Sequence, residues 1–539
     1  MKIVIIFFHF SIYILFNKID GQIKYIIDDF EGYLNGPVNH SGNGLFKSND
    51  CEIEILEHKI QHKNHLGKRF IRCENRNKKQ KTFLGKGIGI RVNLNENEDY
   101  LNFYLKTESQ TEIDSIQIIL QEDDNEDGKF TLNKDDEWSY KLNIHKNNDW
   151  NLYSLPIKQL KDINEGGDGI FNASYRNGKV ICLIFSFINS SLENLDLDFI
   201  FFSKGQLDVN NKRLTLNSDS NFCCVGAWSK SNKSNHFTDI ANNFEKNFDD
   251  LGSKHKIGIV HYFQPLNTED TIEKYNYFST EKLNEIIYND YLPMITLENR
   301  IQKNNHYNEY NLENIINGKF DSYMIEFAKK IKKCDGMILL RILHEFNGDW
   351  YPWCISKNNN NPDLYIKSYR HIRELFMQME VKNVKFIWCP NSMSIPQEPW
   401  NDIQLAYPGN DYVDYIGLDI YNGAGKSTFW KTFISEGIEN YFVATQNYPD
   451  KPIIICETAS IERNNSEKDK GKSKAEWIEQ MAISLKHEMQ KVRILCWFNE
   501  SDNFKINSTR ETTKAFYKYI LSDEYFNSGM DNLYKVLRK

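Results

Sequence analysis

Two glutamates, Glu345 and Glu457, lie more than a hundred residues apart, and each closes an apolar run. The first stands in MILLRILHEFNGDWYPW and the second in KPIIICETAS. Two carboxyl groups flanking one bond are the equipment of glycoside cleavage. One protonates the leaving oxygen, and the other attacks the anomeric carbon or activates water. Arg341 and His344 beside Glu345 can hydrogen-bond a carboxylate or a sugar hydroxyl. Trp350, Tyr351 and Trp353 offer flat apolar faces for pyranose rings. A lone glutamate after a strand is an ordinary loop residue, but this density of polar and aromatic groups points to a site. Glu457 follows five apolar residues, PIIIC, where a charge is costly unless it faces a polar mouth.

Positioning such a pair requires strands that end at one place. From residue 222 the chain reads as strand, loop and helix in repetition. The candidate strands are 222–228, 256–263, 291–298, 337–345, 384–390, 413–421, 452–457 and 492–498. Amphipathic stretches such as DSYMIEFAKKIKK and DLYIKSYRHIRELFMQM separate them. Eight apolar strands alternating with helices predict a parallel sheet closed into a (β/α)₈ TIM barrel. Its active site would lie at the C-terminal strand ends. Glu345 and Glu457 would then sit on the fourth and seventh strands.

Residues 24–205 differ. LNFYLK, SIQIILQ, WSYKLNI, WNLYSLPI, KVICLIFSFI and LDLDFIFF are short alternating or apolar runs between polar turns. They predict an all-β, jelly-roll-like sandwich. Residues 206–221 read as a polar linker, 222–523 as the barrel and 524–539 as a C-terminal tail.

The segment RILHEFNGDWYPW resembles the acid/base motif of family 26 glycoside hydrolases, R-P-L-H-E-M-N-G-x-W, with Ile342 and Phe346 as apolar departures. FIWCPN, DYVDYIGLDIYN, KPIIICE, CWF and FKINSTRETTKAF extend the resemblance over 222–522. The resemblance implies that Glu345 is the acid/base and Glu457 the nucleophile. It implies that Tyr421 hydrogen-bonds the nucleophile and that Asp419 lies beside the substrate or only orients neighbours. Trp497 would be a sugar platform, with a core aromatic as the alternative, and Trp388 carries the same two readings. His261 is either a site residue or part of the core. Asn347, with His344, would frame Glu345 and contact substrate. The barrels of this kind retain anomeric configuration, so the two carboxyl groups should be about 5–5.5 Å apart.

The opening IIDDFEGY, the run WNLYSLPI and the closing LDLDFIFF loosely resemble carbohydrate-binding sandwiches of the family 11 type. Such a module would hold an enzyme on its polymer. The alternative is a sandwich that only packs on the barrel.

Two motifs are decoys. NGAGKST has Ile420 where a phosphate-binding loop needs its first glycine. EDDNEDGKF begins like a calcium loop with Asp123, Asn125, Asp127 and Gly128, but Lys134 occupies the twelfth position, which excludes an EF-hand. An acidic β-turn and a looser calcium site both remain open there.

The net charge of −8 gives no electrostatic reason to expect nucleic acid or an anionic membrane as partner. Lys2 and the apolar stretch 3–16 read as a secretory signal within residues 1–21, too short to span a bilayer comfortably. N-x-S/T sequons at Asn39, Asn172, Asn189, Asn232, Asn464, Asn499 and Asn507 accord with export as a glycoprotein. Cys51 and Cys73 are placed to close a loop of the sandwich, whereas Cys389, Cys456 and Cys496 read as buried thiols. No CxxC pair or His/Cys spacing marks a zinc site. The expectation is a secreted, monomeric, retaining endo-glycosidase without cofactor or catalytic metal. Its substrate would be a β-linked polysaccharide, foremost β-1,4-mannan. A mixed-linkage β-glucanase or β-1,3-xylanase is the alternative, and a non-catalytic carbohydrate-binding protein is the alternative of another class.

Overall fold

A computed structural model describes residues 22–28, 30, 45–58, 69–75, 81–88, 94–111, 113–125, 127, 129–171, 173, 180–188, 194–207, 222–229, 238–252, 255–265, 279–298, 307–423, 431–462, 473–487, 489–500 and 503–537. The leader expected over residues 1–21, the sequons at Asn39, Asn172, Asn189, Asn232 and Asn464, and most of the NGAGKST loop lie outside the described residues.

Among the described residues, twelve strands build the sandwich: β1 (Gln22–Asp28), β2 (Leu45–Lys47), β3 (Cys51–Glu57), β4 (Arg69–Asn75), β5 (Lys81–Gly87), β6 (Asp99–Lys106), β7 (Ser115–Glu122), β8 (Glu137–Asn143), β9 (Asn151–Pro156), β10 (Lys161–Asp162), β11 (Val180–Ile188) and β12 (Asn194–Lys204). One sheet runs β3-β4-β12-β6-β9 with β1 also paired to β12, and the other runs β10-β8-β7-β11-β5-β2. All pairings are antiparallel. Alternation puts Leu101, Phe103 and Leu105 of β6 and Leu183, Phe185 and Phe187 of β11 in a shared core, as period-two strands require. Cys51 and Cys73 form a disulfide between β3 and β4.

The barrel consists of β13 (Cys224–Ser229), β14 (Ile259–Gln264), β15 (Leu292–Leu297), β16 (Ile338–Arg341), β17 (Val384–Trp388), β18 (Tyr415–Asn422), β19 (Ile453–Ser460) and β20 (Val492–Asn499), closed in that order. Every neighbouring pair is parallel. Cys224, Ile259, Met294, Leu339, Ile387, Cys389, Ile454, Cys456, Ile494 and Cys496 fill the interior as one buried cluster. Small residues allow this filling. A Cβ on Gly417 would fall 2.7 Å from Cys389 Sγ and 2.8 Å from Cys456 Sγ.

Two boundaries differ from the reading of the sequence. The fourth strand stops at Arg341, four residues short of Glu345, because Leu343 (φ 48°) and Glu345 (φ 51°) enter the left-handed region and leave the ladder. The segment after residue 523 is also not a simple tail. Met530–Leu537 is a helix whose Leu533 and Val536 join the barrel's interior cluster and seal it from below. Its Val536 carbonyl accepts a hydrogen bond from Tyr415 Oη at 2.5 Å.

The sandwich packs on the barrel. Leu152 and Phe199 rest against the barrel's core, and Phe201 and Leu207 are buried within it. Arg69 of β4 donates to Glu476 on the barrel helix Lys474–His487 at 2.7 Å. Among the described residues, no helix is long and apolar enough to cross a membrane.

Candidate active site

Strand parity decides which side chains reach the mouth. On β14, β15, β16 and β18 the interior-facing series place His261, Thr296, Arg341 and Asp419 directly above the apolar filling. Arg341 is fully buried and organises this layer. Its Nη1 donates to both oxygens of Asp419, at 2.8 and 2.6 Å, and its Nε donates to Thr296 Oγ1 at 2.7 Å. Its Nη2 pairs with Glu457 Oε1. Thr296 Oγ1 also lies 2.8 Å from His261 Nε2. A guanidinium with its fork divided between two carboxylates fixes both in place.

Glu457 owes its direction to a bulge. Leu418 stands opposite Ile455, but Asp419 stands opposite Glu457, so Cys456 is an extra residue in β19. The bulge lets two consecutive residues serve the interior: Cys456 fills the barrel and Glu457 faces the mouth. Tyr421, two residues after Asp419 on the same face, donates its hydroxyl to Glu457 Oε2 at 2.5 Å. Burial and the charge of Glu457 push the Tyr421 phenol far above its ordinary value, so it stays protonated as a donor.

Glu345 has different surroundings. Its strained turn is tied to β17 through its own N–H, donated to Cys389 O at 2.8 Å. Its half-buried carboxyl accepts from Trp350 Nε1 at 2.6 Å. Burial, then the charges of Asp419 and Glu457, raise its pKa well above the ordinary carboxyl range, while Arg341 and the Trp350 bond pull the other way. Trp350 is also one of the exposed large hydrophobic residues, with 37% of its surface open to solvent.

Several expected site residues sit elsewhere. Trp497 is fully buried, donates Nε1 to Phe504 O at 3.1 Å and packs edge-on against Trp477 and Phe516. It is not a sugar platform, because the interior series of β20 is Ile494, Cys496, Phe498 and Trp497 points to the helices. Trp388 is likewise core, packed on Phe346, Tyr407 and Tyr448. Trp353 is buried behind Tyr351 and donates to His344 O at 2.7 Å, so it offers no face to a sugar. Asn347 is buried, with its amide committed to protein: Nδ2 donates to Asn391 O and Ser394 Oγ, and Oδ1 accepts from Asn391 N. It braces the loop after β17 instead of touching substrate. His344 is buried with Nε2 3.2 Å from Tyr351 Oη. Arg341, Asp419 and His261 lie beneath the mouth and bond to protein groups. Asn499 bonds Ser229 and Ile506 through its amide and is buried, so its sequon is not open to glycosylation in the fold.

Other residues gather beside Tyr421 and Arg341. Trp228 stacks on Phe498 at 4.9 Å, and Phe263, Tyr421 and Phe498 form edge contacts around them. Thr296 joins Arg341 to His261. No polar face marks these residues in the sequence, because the strands that carry them are buried on both sides.

Comparison with known proteins agrees with this architecture. Residues 291–445 match the family model described as glycosyl hydrolase family 26. Endoglucanase H of Acetivibrio thermocellus is 35% identical over 215 residues, covering 39% of this chain and 23% of that protein. A mannan endo-1,4-beta-mannosidase of Bifidobacterium adolescentis is 23% identical over 189 residues, covering 33% of this chain and 18% of that one. The chain thus spans less than a quarter of the length of these curated relatives. The solved structure of Bacillus subtilis mannanase BCman aligns over 58% of this chain and 90% of its own, with 18% identity and a TM-score of 0.40. The segment that matches glycosyl hydrolase family 26 holds β15 to β18 and the Glu345 turn.

Proposed function

We propose that the barrel hydrolyses β-linked polysaccharide internally and with retention of configuration, with β-1,4-mannan as its first substrate. The observation that carries the reading is the asymmetry of the two carboxyl groups. Glu457 is held by a guanidinium and a phenol, which fix its carboxyl in place as a nucleophile. Glu345 is half-buried with its pKa raised, which favours a protonated acid. Glu457 attacks the anomeric carbon as Glu345 protonates the leaving oxygen. Once Glu457 is esterified its charge is gone, the pKa of Glu345 falls, and Glu345 serves as base for the incoming water. Trp350 and the Trp228–Phe498 pair supply apolar faces for the sugar rings.

A mixed-linkage β-glucan is the second reading, supported by the 35% identity to an endoglucanase. Reducing-sugar release from mannan, mixed-linkage glucan and xylan separates the readings. Release from mannan is expected to dominate. Release only from glucan replaces the substrate, and release from none, with an unchanged wild-type fold, favours a non-catalytic binding protein. Residues 1–21 are proposed to direct secretion. The sandwich is proposed to hold the enzyme on its polymer, which predicts that deleting residues 24–205 weakens activity on insoluble more than on soluble glycan.

A further inference from the structure

Lys474 opens the helix Lys474–His487, which follows β19, and it is fully buried. Both facts run against local preference. A cation at a helix N-terminus meets the positive end of the dipole, and lysine is seldom sealed from water without partners. Burial pushes the Lys474 amine down to about 8, with Glu462 pulling the other way, so the folded chain holds this proton less tightly than the unfolded one. Keeping the ammonium inside costs stability, in full below that pH.

The ammonium uses all three of its donors on one segment. Nζ donates to Asn503 O at 2.8 Å, to Lys505 O at 2.9 Å and to Ser508 Oγ at 2.7 Å. Glu462, just past β19, has Oε1 4.0 Å from the same Nζ and accepts from Ser508 Oγ at 2.8 Å. It also accepts from Thr512 Oγ1 in the first turn of the helix Arg510–Phe516.

The two carbonyls held by Lys474 bracket Phe504. The carbonyl of Phe504 itself accepts from Trp497 Nε1 at 3.1 Å, and Ile506 N donates to Asn499 Oδ1 at 2.7 Å. Asn503, Lys505 and Asn507 are exposed, so these polar ties, with the buried Ile506, fix the path of the segment. The half-buried Phe504 ring lies 5.4 Å from the ring of Tyr421, the phenol that donates to Glu457.

On the reading of the barrel as a retaining glycosidase, we propose that Lys474 is a positioning residue. Its ammonium fixes residues 503–508 so that Phe504 stands against Tyr421 and walls the cleft beside the nucleophile, where the sugar attacked by Glu457 lies. Lys474 touches neither the sugar nor the reacting carboxyls, and its effect passes through Phe504.

The test uses the full chain and two readouts. Lys474→Met should lower kcat/KM on the glycan that the wild type cleaves best by about tenfold. In a Phe504→Ala background the same change should add little, because the wall is already gone. Trypsin cleavage after Lys505, read by mass spectrometry, should speed up by about tenfold in Lys474→Met, since the bond cut is one whose carbonyl Lys474 holds. The melting temperature should stay within about 3 °C of the wild type, as the loss of a desolvated charge offsets the lost hydrogen bonds. Ser508→Ala removes one acceptor and gives the same pattern at about threefold, should Lys474→Met not fold. Wild-type kcat/KM in Lys474→Met overturns the proposal alone. So does a loss in the Phe504→Ala background as large as in the wild type, or an unchanged cut after Lys505. A wild-type chain that releases sugar from no glycan overturns the glycosidase reading and the role of Lys474 with it.

Discussion

At the scale of single residues, the barrel mouth separates two glutamates by what surrounds them. Replacing either by alanine should remove turnover on polysaccharide, by about 10³-fold or more in kcat. Wild-type rates in Glu345→Ala or Glu457→Ala would contradict their roles. The pH profile follows from the raised pKa of Glu345. The acid works only when protonated, so activity falls as pH rises through that pKa, and raising it moves the basic limb upward. Trp350 donates to Glu345 and thereby favours its charged form. Trp350→Phe removes the donor and keeps an aromatic face. Its basic limb should move to higher pH, a shift visible in kcat/KM against pH. Thr296 acts through Arg341, which donates to it, and also bonds His261. Thr296→Val leaves a buried N–H of the guanidinium without its acceptor, at a cost of about 1–3 kcal/mol. The expectation is a kcat lowered about tenfold or more with KM little changed, and recovery in Thr296→Ser.

At the scale of elements, the strand's period of two and one bulge decide function. On β20, Trp497 and Phe498 are neighbours with opposite fates: one packs among the helices and the other faces the mouth. Trp497→Ala should cost about 3–5 kcal/mol of stability in chemical denaturation. Phe498→Ala should chiefly lower kcat/KM, by about tenfold, through the lost apolar face. The reverse pattern would mean that the strand faces the other way. The helix Met530–Leu537 stoppers the barrel with Leu533 and Val536. Leu533→Ala should destabilise by about 2–5 kcal/mol, measured by denaturant midpoint, although it lies at the end opposite the catalytic pair.

At the scale of the whole molecule, the sandwich and the barrel share buried surface through Leu152, Phe199, Phe201 and Leu207, with the Arg69–Glu476 pair at its edge. Arg69 is almost wholly buried there, so Glu476→Ala removes a charged partner from a desolvated guanidinium. It should lower the melting temperature of the full chain while leaving the isolated catalytic chemistry intact.

The sequence by itself determined the alternation of strands and helices, the closed eight-stranded barrel and the sandwich before it, and it singled out the two glutamates proposed for the chemistry. These follow from local patterning: apolar runs, their spacing, and a dense polar and aromatic motif at one strand end. The Cys51–Cys73 disulfide and the buried thiols Cys389, Cys456 and Cys496 were legible for the same reason. What the pattern could not carry was direction. An apolar strand buried on both faces has no polar face to reveal which residues point inward, so the sequence leaves Trp497 open between platform and core and does not single out Phe498. Nor does a run of letters show a bulge, and without the extra residue at Cys456 the carboxyl of Glu457 would face the helices. Asn347 and Trp353 were drawn into the site by proximity in sequence, whereas folding sets their polar atoms against the loop after β17 and the backbone of His344. Which residues are proposed to carry the chemistry follows from their types. Which side chains meet around the two carboxyls was decided only when eight strands closed and fixed the side on which each residue stands.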